Sequence, residues 1–169
     1  QEIHGALPYD HVGLGLLDYA NREVVIQAEA GQSAQSVNLR LKLGEGSVGR
    51  VAQAASLEQF ENLQENPGSA DVRPVLPDAK SLLCLPILYG DQLMGVQNVE
   101  SRRAYAFGEE DVLLLRTLAD LIASALHNAF LFQKAQEQAI TDGLTGVKTH
   151  RFFMEALTRE WRRATRVNR

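Results

Sequence analysis

From Glu109 to about Ala139 the chain carries neither proline nor glycine for 31 residues. Gly108 followed by Glu109, Glu110 and Asp111 places flexible and acidic residues where a helix start favours negative charge. A helix of that length spans about 46 Å, more than the roughly 36 Å width expected of a domain of this size, so its end is expected to project beyond the body. It carries two apolar stripes. One runs through Val112, Leu115, Ala119, Ile122, Leu126 and Ala129, and the other through Leu114, Leu118, Leu121, Ala125, Asn128, Phe132, Ala135 and Ala139. One stripe buries a helix on its own sheet, and a second needs a second partner. The expected partner is another copy of the chain, making a parallel two-helix contact through Leu114, Leu118, Leu121, Ala125, Asn128 and Phe132, with Asn128 as the polar residue that sets the register.

The rest of the pattern is short strands. Val12–Asp18 and Val24–Glu29 are apolar or alternating runs joined by a hairpin turn over residues 19–22. Val37–Lys42 alternates strictly, with Val37, Leu39 and Leu41 on one side, and is expected to be the clearest half-buried strand. A small-residue helix is expected over Val48–Ser56. Between Gln59 and Lys80 stand Pro67, Gly68, Pro74, Pro77 and many polar side chains, too irregular for one long element, and long loops of this kind usually cover binding sites. Ser81–Leu88 reads as a central strand covered on both sides, with Pro86 at an edge or bulge. Leu93–Glu100 is its antiparallel partner.

Charge divides the chain. Up to Ile140 there are 10 Lys and Arg against 18 Asp and Glu, a net of −8; from Thr141 there are 7 against 3, a net of +4. An acidic main piece argues against non-specific nucleic-acid binding. No apolar run approaches the roughly 20 residues of a spanning helix, and no basic start followed by an apolar run marks a signal peptide. A chain opening at Gln1 is expected to be a piece of a longer protein. A single cysteine excludes an internal disulfide and a multi-cysteine zinc site, and the expected setting is cytoplasmic.

Gly44, Gly46 and Gly49 match the glycine spacing of a dinucleotide-binding turn. That fold needs a parallel strand ending in an acidic residue about 20 positions on; a proline-rich irregular stretch stands there instead, and a tight turn feeding a helix is the better reading. Taken with its surroundings this stretch belongs to a series. Leu41–Arg50 (LKLGEGSVGR), Leu82–Leu88 (LLCLPIL), Leu93–Glu100 (LMGVQNVE) and Ala106–Asp111 (AFGEED), followed by the start of the long helix, resemble the successive signatures of a GAF domain. The resemblance implies an α+β fold over residues 1–139: a central antiparallel sheet with helices on one face, a pocket and irregular loop on the other, and a long C-terminal signalling helix. It also implies a sensory or dimerising role in signalling. The tail, residues 140–169, begins with Thr141–Gly146 (TDGLTG), with Arg151 and Phe153 following, and resembles the opening of a GGDEF domain, the diguanylate cyclase module. Val147 and Thr149 depart from the common Leu and Asn. The catalytic residues of such a module would lie beyond Arg169, so the chain itself is expected to be no enzyme.

For ligands, Cys84 lies inside an apolar strand and reads as a buried, inert thiol rather than a bilin attachment site. The reductases that share the GAF fold work with several cysteines. His4, His11, His127 and His150 are dispersed, so neither a metal nor a haem site is expected. No cofactor is expected, and an unknown small molecule is the candidate ligand. Its polar contacts are expected from Asn62, Arg73, Tyr89 and Gln97, with Arg73 suited to an anion; the alternative is that Asn62 and Arg73 are solvated loop residues. The alternatives for the domain are a structural dimeriser with a closed pocket and an enzyme on a GAF-like fold.

Overall fold

The computed structural model describes residues 9–31 and 36–140. Six strands form one antiparallel sheet: β1 (His11–Asp18), β2 (Glu23–Gly31), β3 (Arg40–Lys42), β4 (Glu58–Phe60), β5 (Ser81–Tyr89) and β6 (Gln92–Ser101), in the order β3-β2-β1-β6-β5-β4. Among the described residues two helices accompany them, α1 (Gly46–Ala54) and α2 (Glu109–Ile140), with a 3-10 helix at Pro67–Asp71. One compact unit takes in the chain to Ala125 and a second begins at Leu126. The expected opening of a further domain over residues 141–169 lies outside the described residues.

Alternation along the strands gives the sheet two apolar faces. On one, Val24, Leu82, Cys84 and Val96 pack with Val48, Val51 and Ala52 of α1 and with Phe60 and Val72. On the other, Leu83, Leu85 and Val99 pack with Phe107 and with Leu115 of α2. The helices therefore divide between the faces, α1 lying on the face that the Gln59–Lys80 segment also covers. β5 is buried on both sides, as its unbroken apolar run requires; Leu82, Leu83, Cys84 and Ile87 are wholly inaccessible. Pro86 pairs with Val96 of β6, while β4 reaches only Leu82–Cys84 on the opposite edge. At Pro86 that edge is open, so the missing N–H costs no ladder hydrogen bond.

Two glycines let backbones meet. A Cβ on Gly95 would lie 2.2 Å from the Gly15 carbonyl oxygen, beside the bulge after Leu14 in β1. A Cβ on Gly49 would lie 2.2 Å from the Lys42 carbonyl oxygen, so this glycine of the dinucleotide-like spacing serves to seat α1 on β3.

Two expectations change. The strand expected over Val37–Lys42 is only Arg40–Lys42, because Asn38 adopts a left-handed φ of 73°. Its N–H and the Leu39 carbonyl still bond Ile26, at 2.8 and 3.0 Å. The turn breaks the alternation at the edge of the sheet, and Val37 and Leu39 are left exposed. The irregular segment contains two elements: β4 begins at Glu58 and pairs with β5, and Asn66 caps the 3-10 helix by accepting from the Gly68 N–H at 2.9 Å.

α2 starts where its acidic turn places it. Asp111 accepts from the Gly108 N–H at 2.9 Å, half of a capping box, and from the Tyr9 hydroxyl at 2.8 Å. Burial first, and then the Asp111 carboxylate, push the Tyr9 phenol up to about 12. Leu115, Ala119 and Ala123 are buried. With apolar residues on two faces, the stretch Glu109–Gln136 is long and apolar enough by composition to cross a membrane, at a mean hydropathy of 1.2; its first four turns instead supply core to the sheet.

Candidate functional site

On the α1 face, strand pairing sets polar residues in two adjacent rows. Gly31, His11, Glu100, Leu82 and Phe60 lie opposite one another across β2, β1, β6, β5 and β4; in the next row stand Glu29, Gly13, Asn98, Cys84 and Glu58. Residues directly opposite in an antiparallel sheet share a face, with Cβ atoms about 5 Å apart.

Glu100 has no solvent exposure. Its carboxylate accepts from the N–H groups of Val75 and Leu76 at 2.8 and 2.7 Å and from the Asn98 amide at 2.7 Å. The charge is thus compensated by donors, and the covering segment is tied to the sheet. The Asn98 side-chain carbonyl accepts the Cys84 S–H at 3.0 Å. Burial pushes the Cys84 thiol up to about 12, so it stays protonated and unreactive. Glu29 accepts from the Ser36 N–H at 2.7 Å, the Ser36 hydroxyl, and the Val37 N–H at 3.3 Å. Burial raises the Glu29 carboxyl, but those bonds and the field of His11 outweigh it, leaving it below its usual value. His11 is 1% exposed, and neither ring nitrogen has a hydrogen-bond partner among the described residues.

The GAF domain profile matches residues 4–127. The chain belongs to the GAF domain family. Among solved structures, the GAF domain of a phosphoenolpyruvate-protein phosphotransferase from Coxiella burnetii is similar at a TM-score of 0.68 and 26% identity, covering 77% of this chain and 79% of that one. The corresponding domain from Acinetobacter is similar at 0.66 and 28% identity, covering 75% and 76%. The type II free methionine-R-sulfoxide reductase of Thermoplasma acidophilum shares the fold at 0.60 and 23% identity, covering 71% and 80%. No curated protein matches the chain.

In this GAF domain the four expected ligand contacts stand apart. Asn62 follows β4 and lines a hollow of about 460 Å³ with Gln59, Glu61, Glu65, Asn66 and Tyr105, which takes in none of the other three. Arg73 is exposed and pairs with Glu45, before α1, at 3.0 Å. Tyr89 ends β5 and is exposed. Gln97 pairs with Leu14 and Leu85 on the α2 face of the sheet, not on the face of the covering segment. It is buried there with its side-chain carbonyl unpartnered among the described residues.

His11, Glu29, Asn98 and Glu100 were not singled out from the sequence. Two signals existed: Asn98 and Glu100 follow apolar Val96 at two-residue spacing on one side of a strand, and His11 opens a strand beside two glycines.

On α2, Leu114, Leu121, Ala125, Asn128 and Phe132 of the expected contact are exposed, as are Leu113, Phe130 and Leu131; Leu118 is half-buried against the core.

Proposed function

We propose that the chain is the ligand-sensing, dimerising GAF domain of a signalling protein, acting through α2 on a diguanylate cyclase module that follows. The observation that carries this reading is α2 itself. Leu115, Ala119 and Ala123 are buried on the sheet, while Leu114, Leu121 and Phe132 of the same helix are exposed to solvent. Water-facing leucine and phenylalanine at helical spacing cost free energy unless covered, and a second copy of α2 in parallel covers both equally. The polar floor supplies the sensing half: buried Glu100 and half-buried Glu29 hold the segments at Val75–Leu76 and Ser36–Val37, so a ligand bound between them alters the sheet face.

The output rests on the resemblance of Thr141–Gly146 to the opening of a GGDEF domain. Such a cyclase must bring two GTP-loaded sites together, and the register of two parallel helices is a direct way to control their spacing. A cytoplasmic setting suits a lone reduced cysteine and a GTP-using output. Reductase chemistry finds no support, because Cys84 is the one cysteine and its thiol is pushed up to about 12.

Native mass spectrometry of the purified chain tests the reading. A dimer that Leu121→Glu converts to monomer is expected; a parent chain that is monomeric at micromolar concentration would overturn it.

A further inference from the structure

Resting on the sensory reading above, we infer that the two polar rows on the α1 face form a site for a small organic cation carrying N–H donors, held by His11, Glu29 and Glu100.

A buried polar group without a partner is costly, and the His11 imidazole, 1% exposed, leaves both nitrogens without a partner among the described residues. Along its row it faces Gly31 on one side and Glu100 on the other; in the next row Gly13 faces Glu29 and Asn98. Gly13 leaves space above the strand, whereas a Cβ on Gly31 would lie 2.4 Å from the Asp10 carbonyl oxygen. A Cβ built on Gly13 meets only the His11 ring nitrogen Nε2 at 3.4 Å and the Asn98 Cβ at 4.0 Å.

Charge selects the ligand. Neither Glu29 nor Glu100 has an ion-pair partner among the described residues. Two such carboxylates stand on this floor, so an anion is repelled and a cation attracted. Lone pairs remain to receive it. A carboxylate oxygen accepts about two hydrogen bonds, and Oε2 of Glu29 accepts only the Ser36 hydroxyl while Oε2 of Glu100 accepts only the Leu76 N–H among the described residues. An imidazole in its neutral form offers a third acceptor. An ammonium or amidinium group presents the matching donors. Because the same two carboxylates hold Ser36–Val37 and Val75–Leu76, a cation shared between them draws both covering segments onto the sheet.

The test uses the full chain with isotope-labelled histidine. It is titrated in separate arms with millimolar ethylammonium chloride, guanidinium chloride, sodium acetate and sodium chloride, following the His11 ring by NMR; His11→Gln assigns the signal. The expected result is a saturable shift with the two organic cations, none with acetate or sodium chloride, and affinity about tenfold weaker in Glu29→Gln, the loss of one charge-assisted contact. Gly13→Val, which fills the space, is expected to abolish the shift; Gly13→Ala serves if that chain does not fold. Cations that leave the ring unmoved, acetate that moves it, or parent-like binding in the glycine variant would overturn the inference. A ligand of other chemistry retained in a native mass spectrum would overturn the cation class while leaving ligand sensing intact.

Discussion

Glu100 shows how a charged side chain comes to be wholly buried without becoming a weak point. Three donors converge on it, two of them backbone groups of the segment that covers the sheet. In Glu100→Gln one carboxylate oxygen becomes an NH₂ aimed at an N–H, leaving buried donors unmatched. The variant is expected to be destabilised by about 1–3 kcal/mol in urea unfolding, and amide exchange at Val75 and Leu76 is expected to speed up. Cys84 allows a pH prediction. An unfolded thiol ionises near 9 while the folded one holds its proton to about 12. The contribution is therefore complete below about pH 9, and falls as pH rises through that window because the unfolded state releases its proton first. The parent chain is expected to lose stability more steeply than Cys84→Ala above pH 9, measured by chemical denaturation at each pH; parallel curves would refute it.

α2 and β3 show what periodicity says about an element and what it omits. In α2 the stepping by three and four separates two faces, and burial follows the separation: Leu115 is 1% exposed and Leu121 is 63% exposed. Leu115→Ala is expected to cost about 2–5 kcal/mol through the lost methyl groups and the cavity, read from the urea midpoint. Leu121→Ala is expected to leave the fold alone and weaken self-association, read by analytical ultracentrifugation. In β3 the alternation of Val37, Leu39 and Leu41 looked equally firm, yet only Leu41 packs on the core. Alternation states which residues share a side of an extended chain, and Asn38 turns the chain before the side is established. Val37→Ser and Leu39→Ser are expected to change stability by less than about 0.5 kcal/mol.

At the scale of the molecule, all six strands and the buried part of α2 fall before Leu126. A chain ending at Ala125 is expected to unfold cooperatively in a thermal melt followed by circular dichroism, and to be monomeric in light scattering. Non-cooperative melting would show that the sheet needs the rest of α2. The GAF fold was legible beforehand because its signatures are local: the glycine turn before α1, the apolar run of β5, the turn into β6 and the acidic start of α2 each occupy a few adjacent residues. The floor of the candidate site was not. Asn62, Arg73, Tyr89 and Gln97 were reasonable as polar residues near a covering loop, but a loop residue's neighbours depend on where the loop lies. For a strand residue the choice of face turns on a register that one bulge shifts, and Gln97 fell on the α2 face.

By itself the sequence determined the order and kind of the main elements, the long two-faced helix, the two-sided burial of β5 and the inert thiol, because each follows from residue type and spacing within one segment. Only the tertiary structure decided that His11, Glu29, Asn98 and Glu100 share one floor. Those residues lie as far apart as positions 11 and 100, and they meet because β1, from His11 to Gly13, pairs with both β2 and β6. That meeting depends on the pairing of three strands and not on any pattern within one of them.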